Sequence, residues 1–278
     1  MIHMGILSRL RTRYPKALGL LSFEFPLREI NSEIANSNSN NTIIPKNVYQ
    51  TWDFNKIGKS HYSEWMNFKK INSDYNFVFF NKSQRDQYML ENWRNHKVYE
   101  IYEMSRFGPM AVDIFRYCLI YDKGGIYFDI NKCLSKPIND FISEGCSFFF
   151  SYERDISYRY PELQSLKTLK CPHNFVLNWA FGFKQRHPVL LNAVDKVSEY
   201  QNLFKGHIFA KPSQAIVKYT GTNLFTEAIH HYISKNPNDK FCDSDVNFGG
   251  SGITSMKNSW VRYAKVPAYT RARNDFLF

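Results

Sequence analysis

Residues 107–134 carry the clearest pattern of hydrophobic and polar positions in the chain. Apolar side chains recur there at spacings of three and four, at Met110, Ile114, Cys118 and Tyr121. This spacing predicts a helix with one buried stripe, and Pro109 suits its first turn because proline has no N–H to pair there. Lys123 and the pair Gly124-Gly125 predict the end of that helix, since glycine accepts the left-handed cap conformation.

Shorter apolar runs predict the strands around this helix. Residues 126–128 form a β-rich run that would carry Asp129 to the end of a strand. Further strands are predicted over residues 42–52, 76–80 and 146–152, and mostly helix over 60–105. Residues 158–170 show no periodicity and predict a loop. Alternating strands and helices of this kind indicate an α/β fold.

Polar side chains next to these elements suggest a metal site. Asp129 and Asn131 are two apart at the expected strand end, where their oxygens can face one divalent cation. Mg²⁺ and Mn²⁺ prefer such hard oxygen ligands and share them with water and phosphates. An isolated Asp-x-Asn is more often an ordinary turn. Asp113 and Arg116 lie three apart and therefore share one face of the helix.

The run AVDIFRYCLIYDKGGIYFDIN resembles the core of the DXD-type sugar-nucleotide glycosyltransferases of family 32. That group includes yeast outer-chain mannosyltransferases and bacterial capsule and O-antigen enzymes. The resemblance extends in pieces from about Ile44 to Trp260, and the second aspartate of the motif is Asn131 here. It implies a GT-A-type nucleotide-sugar-binding fold, with a mixed central sheet flanked by helices.

The same resemblance implies roles for individual residues. Donor-binding positions would be Gln50, Thr51, Trp52, Asp113, Arg116, Tyr127, Ser259 and Trp260. Catalytic positions would be Asp113, Arg116, Asp129 and Asn178, and metal ligands Asp129, Asn131 and Asn258. Two alternatives remain open from the residues alone: Trp52 as a core side chain, and Asn178 as the cap of a turn. The loop at Thr220–Thr222 resembles the family's TGP loop, with threonine in place of proline.

Composition limits the domain organisation and the partners. With 278 residues and 44% hydrophobic content, the chain fits one domain over 41–278, with a helical insert at about 55–105. Residues 1–40 would be a basic arm and an Asn/Ser linker. The net charge of +11 predicts either a solvated basic surface or attraction to polyanions. A nucleotide diphosphate and an anionic membrane surface are the polyanions expected as partners, and nucleic acid is not expected.

The arm and the cysteines bear on location. Within residues 1–30, five cations alternate with leucine and isoleucine, which suits either an amphipathic membrane segment or a helix packed on the domain. Five cysteines without a CxxC pair favour free thiols in a reducing compartment. The chain has no apolar run of bilayer length and no apparent signal peptide. These features predict a cytoplasmic protein, peripheral on the inner face of a membrane.

The function expected from all of this is metal-dependent transfer of a sugar, with retention of configuration, from a UDP- or GDP-sugar to a hydroxyl. The acceptor would be a glycan or lipid-linked glycan of a bacterial surface polysaccharide. Three alternatives remain: a toxin-like enzyme that glycosylates a protein, a basic nucleic-acid-binding module, and an inactive scaffold in which Asn131 has replaced a metal ligand.

Overall fold

A computed structural model describes residues 23–33, 42–153, 175–246, 248, 254–256, 259 and 269–278. The strands, in chain order, are β1 (Arg28–Glu29), β2 (Asn47–Thr51), β3 (Lys56–Ile57), β4 (Asn76–Phe80), β5 (Gly125–Phe128), β6 (Lys132–Cys133), β7 (Phe148–Tyr152), β8 (Ala180–Phe183), β9 (Phe241–Val246) and β10 (Thr254–Ser255). The helices are α1 (Lys59–Ile71), α2 (Lys82–Trp93), α3 (Lys97–Met104), α4 (Gly108–Lys123), α5 (Pro188–Phe204), α6 (Pro212–Tyr219) and α7 (Thr222–Lys235). Short 3₁₀ turns lie at Ile138–Phe141 and Tyr269–Arg271.

Six of these strands form one mixed sheet in the order β4-β2-β5-β8-β7-β9. Strands β4, β2 and β5 are parallel, β8 runs antiparallel to both β5 and β7, and β9 is parallel to β7. Large buried clusters cover both faces of the sheet. The expected α/β fold, with a mixed central sheet flanked by helices, is confirmed.

This topology gathers polar residues at one edge of the sheet. The carboxyl ends of β2, β4, β5 and β7 meet there, together with the start of β8, because Phe128 pairs with Ala180. Asp129 and Asn178 therefore become neighbours although they are far apart in sequence. Ligands of open α/β sheets bind outside the carboxyl ends of the strands, so this edge is where a site is expected.

Helix α4 forms the centre of the core. It begins and ends where the sequence predicted, with Pro109 in its first turn and Gly124 at its end with φ of 63°. A Cβ at Gly124 would lie 2.7 Å from the backbone nitrogen of Gln185, so close packing also requires glycine there. The helix is more buried than its stripe predicted, since every residue from Asp113 to Ile120 is buried. Its two charged residues are thus inside the protein.

The described part of the N-terminal segment packs on the domain. Strand β1 pairs with β3, Ile30 is 1% exposed, and Glu33 forms a bridge with Phe77 next to the main sheet. The carboxylate of Glu24 accepts from the Ser60 backbone and hydroxyl at the start of α1. Residues 24–33 therefore belong to the folded unit, while residues 1–22 and 34–41 lie outside the described residues.

The expectation that the cysteines are free thiols is wrong for one pair. Cys146, which precedes β7, and Cys242 on the neighbouring strand β9 form a disulfide, although 96 positions separate them in sequence. Only the register of the two strands brings the pair together, so spacing could not reveal it. Cys118 is a free, buried thiol, and Cys133 is buried as well. Disulfides are rare in reducing compartments, so the bond weighs against the compartment that the cysteine pattern favoured.

Among the helices that the structure describes, we find none that is both long enough and apolar enough to cross a bilayer.

His187 is a fully buried histidine at the N-terminus of α5, in agreement with a structural role. Its Nδ1 accepts from the backbone of Val189, and its ring packs against Phe148, Phe183 and Tyr232. Burial lowers the pKa of His187 to about 4, although the carboxylate of Asp239, 3.4 Å from Nε2, acts in the opposite direction. The neutral ring is therefore the form that the fold favours.

We expect acid to destabilise the protein through this residue. An unfolded histidine has a pKa of about 6.5, so the unfolded state takes up the proton first as the pH falls. The contribution of the neutral His187 ring to the free energy of unfolding is fully present above pH 6.5. As the pH falls towards 4, the free energy of unfolding falls by up to about 3 kcal/mol. Urea unfolding between pH 7 and 4 measures this loss. His187→Asn keeps an acceptor that can cap the helix and should make the free energy of unfolding less dependent on pH. His231→Asn, at an exposed position, should leave that pH dependence unchanged.

Candidate active site

A cavity of about 650 Å³ opens at the sheet edge where the strands end. The polar side chains that line it come from seven places in the chain: the end of β2, α2, α4, the loop after β5, the end of β7, the segment before β8 and the start of α7. They include Thr51, Asp53, Arg85, Asp113, Arg116, Asp129, Asn131, Glu153, Asn178 and Thr222. This list contains all four of the catalytic residues that the sequence predicted.

Arg116 connects the polar residues on the floor of the cavity. Its guanidinium donates to the backbone carbonyl of Asn178 at 2.5 Å and lies 3.1 Å from Asp113 and 3.4 Å from Asp129. The same group lies over the ring of Tyr127, 4.6 Å from its centroid. The side chain is 5% exposed, and although burial lowers the pKa of Arg116, Tyr127 and the carboxylates of Asp129 and Asp113 outweigh burial and raise it above the ordinary value. A permanent, rigidly held positive charge therefore lies between the two acids.

Asp113 is held by three partners in a nearly dry environment. Its Oδ1 accepts from Asn178 and pairs with Arg116, while Oδ2 accepts from the hydroxyl of Thr220 at 3.0 Å. Burial raises the pKa of Asp113 to about 6, and Arg116 opposes that shift. The group is therefore ionised at neutral pH, with acceptor capacity left for a ligand hydroxyl.

Asp129 is the most exposed acid of this cluster, with a third of its side chain accessible. The hydroxyl of Tyr127 donates to its Oδ1 at 3.0 Å, and its backbone N–H donates to the carbonyl of Trp179. Asn131 follows in a tight turn, and its side chain is half-buried at the cavity wall. One carboxylate and one amide oxygen thus lie at the same edge of the cavity.

These two side chains fit a divalent cation. Mg²⁺ and Mn²⁺ are commonly held by one or two protein oxygens, and water and substrate phosphates supply the rest. Within the described ranges, no group of three or more His, Cys, Asp or Glu side chains is placed to hold a metal. Asp129 and Asn131 would therefore hold the ion together with its substrate. Asn258, the third expected ligand, lies outside the described residues.

Asn178 belongs to a hydrogen-bonded chain that crosses the cavity. Its amide donates to Asp113, and its Oδ1 accepts from the hydroxyl of Thr222 at 3.2 Å. Thr222 also lies 3.5 Å from a carboxylate oxygen of Glu153. Asn178 is thereby fixed with its side chain at the cavity floor. Thr220, Thr222 and Glu153 are functional candidates that the sequence did not identify individually.

The donor-binding residues expected at the end of β2 lie at different depths. Trp52 is half-buried and lines the cavity, and Thr51 lies beside it. Gln50 does not line the cavity; it is 3% exposed, accepts from Trp65, and donates to the backbone carbonyl of Asp129 at 3.4 Å. Its position suits support of the loop after β5 that carries Asp129 and Asn131, which we call the metal loop.

The last expected donor residues lie near the end of the chain. Ser259 is half-buried, and its backbone donates to the carbonyl of Met256, whose own N–H donates to the carbonyl of Asn131. This places Ser259 close to the metal loop along the chain of backbone contacts, but not among the residues that line the cavity. Trp260 lies outside the described residues.

Replacement of Asn131 by aspartate should leave activity intact or raise it. The change adds a negative charge beside Asp129, where a cation would bind, and keeps the size of the side chain. We expect the activating concentration of Mn²⁺ to fall in Asn131→Asp, measured by donor hydrolysis across a metal titration. Asn202→Asp, at an exposed position of α5, is the matched control. A large loss of metal-dependent activity with the fold preserved would assign Asn131 another role.

Comparison with known proteins identifies relatives of this chain. Residues 58–148 match the family model described as the glycosyltransferase sugar-binding region containing a DXD motif. The uncharacterized glycosyltransferase L373 of Acanthamoeba polyphaga mimivirus is 25% identical over 199 residues, which cover 70% of this chain and 68% of that protein. The initiation-specific alpha-1,6-mannosyltransferase of Candida albicans is 22% identical over 236 residues. That match covers 77% of this chain but 57% of the fungal protein.

Among solved structures, the PaToxG glycosyltransferase superposes with a TM-score of 0.49 at 17% identity. The superposition covers 69% of this chain and 70% of that one.

Proposed function

We propose that this glycosyltransferase, whose residues 58–148 match the sugar-binding region of the family, uses a nucleotide-diphosphate sugar and a divalent cation. The sugar would pass to a hydroxyl of a glycan acceptor with retention of configuration. The observation that carries this proposal is the cluster of Asp113, Arg116, Asp129 and Asn178 on the floor of one cavity.

Each member of the cluster has a part in the proposed reaction. Arg116 attracts the donor phosphates and pairs with both Asp113 and Asp129, so that its charge offsets theirs. Asp113 accepts from hydroxyls of the donor sugar or ribose. Asn178, fixed by Asp113 and Thr222, lies beside the reacting carbon of the sugar. Preorganised groups of this kind stabilise charge that develops during reaction without reorganising themselves.

Asp129 and Asn131 would hold Mn²⁺ or Mg²⁺ against the diphosphate. When bound, the ion supplies neutralisation of the negative charge on the departing nucleotide. Both side chains reach the cavity from the loop after β5, which is anchored to Trp179 and Gln50 through the backbone of Asp129. The sugar is transferred on the face from which the diphosphate departs, and the acceptor proton passes to the leaving group.

The relatives suggest a sugar but leave the acceptor open. The fungal relative is named as an alpha-1,6-mannosyltransferase, so mannose is the first sugar to test. A glycan hydroxyl is the acceptor class that we propose. The role in bacterial surface polysaccharide synthesis, and a lipid-linked form of the acceptor, stay predictions of the sequence resemblance.

Donor hydrolysis tests the proposed function directly. Purified protein is incubated with UDP-glucose, UDP-galactose, UDP-N-acetylglucosamine, GDP-mannose and GDP-fucose, with Mn²⁺ or with EDTA, and release of nucleoside diphosphate is measured. We expect one donor to be cleaved only with the metal present. Cleavage that persists in EDTA would contradict the metal dependence, and no cleavage of any donor would contradict the proposed function.

The basic arm is proposed to bind an anionic membrane surface. Residues 1–22 hold four cations, Arg9, Arg11, Arg13 and Lys16. Each cation near such a surface contributes about 1 kcal/mol, which salt screens. We expect the full chain to co-sediment with vesicles of 30% phosphatidylserine at about 50 mM salt and to leave them at about 500 mM.

Two variants isolate the contribution of the arm. Deletion of residues 1–22 spares the packed segment 24–33 and should abolish sedimentation but leave donor hydrolysis unchanged. Replacement of the four cations by glutamine should have the same effect. Equal sedimentation of all forms would remove the arm from the proposal. A cytoplasmic location also stays a prediction, and the Cys146–Cys242 bond argues against it.

A further inference from the structure

The backbone of the metal loop is held by three separate elements at three consecutive residues. The carbonyls of residues 129–131 accept hydrogen bonds, in order, from Gln50 on β2, His61 on α1 and the backbone of Met256 after β10. The three distances are 3.4, 2.8 and 2.8 Å. Of the two anchors that are side chains, His61 therefore makes the shorter contact.

The contact of His61 fixes the state of its ring. Its Nε2 lies 2.8 Å from the carbonyl oxygen of Ile130, and the side chain is fully buried. A backbone carbonyl can only accept a hydrogen bond, so Nε2 must carry a proton and donate it. The ring is thus locked in one orientation, with its donor directed at the middle residue of the metal loop.

Helix α1 supports two of the three anchors. It carries His61 directly, and Trp65, one turn further along, donates to the side-chain oxygen of Gln50 at 2.7 Å. Residues four apart lie on the same face of a helix, so both side chains point towards the loop. The start of α1 is itself fixed, because Glu24 accepts from the backbone and hydroxyl of Ser60. The loop is therefore braced by a helix whose own position is determined.

Ile130 is fixed by its side chain as well as by its carbonyl. It is 2% exposed and belongs to the same buried cluster as Trp65 and Phe68 of α1. Asp129 and Asn131, on either side of it, line the cavity. Rotation of the loop would pull Ile130 out of the core and break its bond with His61. The two ligand residues are therefore held at the cavity edge from behind.

We propose that His61 is a positioning residue for the divalent cation, because its bond to Ile130 sets how Asp129 and Asn131 present their oxygens. This inference rests on the proposed function. His61 is not among the residues that line the cavity, so it acts through the loop and not by contact with ion or donor. Groups that orient metal ligands typically contribute about ten- to a hundredfold to metal affinity.

Direct binding of Mn²⁺ to the full-length protein tests this role without any measurement of turnover. The paramagnetic resonance signal of free Mn²⁺ is followed during titration of the protein with UDP or with GDP present. His61→Leu removes the donor, and the Mn²⁺ concentration at half-saturation should rise by about ten- to a hundredfold. His61→Gln should bind Mn²⁺ nearly as the wild type does, since its amide nitrogen is the same number of bonds from Cα as Nε2 of histidine.

Two further variants separate positioning from general stability. His187→Leu also removes a fully buried histidine, but one that caps α5 and makes no contact with the metal loop. It should lower the melting temperature and leave Mn²⁺ binding unchanged. His61→Met is a second variant without a donor, with an unbranched side chain that adapts to core gaps, and it replaces His61→Leu if that protein does not fold.

Hydrogen exchange of the metal-free protein gives an independent measurement. The amide of Asp129 donates to Trp179, and the amide of Lys132 donates back to Asp129 at 2.9 Å. Loss of the His61 bond should loosen the loop, so both amides should exchange faster in His61→Leu than in the wild type. In His187→Leu they should exchange no faster relative to the rest of the sheet.

The outcomes separate this inference from the proposed function. A folded His61→Leu or His61→Met that binds Mn²⁺ as the wild type does would overturn the role of His61 and leave glycosyl transfer standing. Equal weakening in His187→Leu, or weakening in His61→Gln as large as in His61→Leu, would overturn it too. A wild-type protein that binds no Mn²⁺ with either nucleotide would contradict the metal dependence of the proposed function, and this inference with it.

Discussion

Asp129→Ala should reduce sugar transfer by a factor on the order of a thousand while the protein stays folded. The substitution removes the only carboxylate of the Asp129–Asn131 pair, and with it the charge that would hold the cation. It also releases the hydroxyl of Tyr127 and one partner of Arg116. Arg116 still pairs with Asp113 and donates to the carbonyl of Asn178 in this variant. Its buried charge therefore keeps a partner, and the fold should be preserved.

Turnover of the cleaved donor and thermal unfolding would be measured together. Asp140→Ala removes an exposed carboxylate on the 3₁₀ turn after the metal loop and serves as the control, with turnover unchanged. A purified Asp129→Ala protein that is folded and turns over at a near-normal rate with Mn²⁺ present would contradict the proposed metal site.

Arg116→Lys should lower turnover by about a hundredfold although it conserves the charge. The guanidinium reaches Asp113, Asp129 and the carbonyl of Asn178 at once, and a single ammonium cannot occupy those three directions. The carbonyl of Asn178 or one of the buried acids would lose its partner. We also expect a lower melting temperature, because breaking a buried charge network is strongly destabilising.

The control for this change is Arg106→Lys, at an exposed pair with Asp275. It should change neither turnover nor melting temperature, since exposed ion pairs contribute little. If Arg116→Lys kept full turnover, positive charge alone would explain the role of residue 116, and the geometry described above would not matter for catalysis.

The sequence predicted the elements that depend on local signals. Helix α4 was visible because proline, an apolar stripe and a double glycine mark its start, its face and its end within sixteen residues. Strand β4 was predicted with its observed bounds, and its residues alternate between half-buried and buried in the structure. The pairing of Asp113 with Arg116 followed from helical spacing, and their buried partnership is observed.

What the sequence did not predict depends on contacts between distant segments. Thr222 donates to Asn178 across 44 positions, and Cys146 reaches Cys242 across 96, so no local pattern marks either pair. No local pattern singled out Asp53, which the fold places beside Arg85 of α2. Gln50 was expected to contact the sugar donor. Instead, its side chain is buried and forms hydrogen bonds with Trp65 and the backbone carbonyl of Asp129.

The pairing of β5 with β8 also determines how the protein can move. All four residues of each strand are buried, and the backbone of Asp129 continues the ladder by donating to Trp179. The metal loop and the segment that carries Asn178 are therefore parts of one rigid body. Their amide hydrogens should be among the last to exchange with deuterated solvent. Any closing motion around a bound donor is then expected from other parts of the cavity lining, such as the 3₁₀ turn at Tyr269–Arg271.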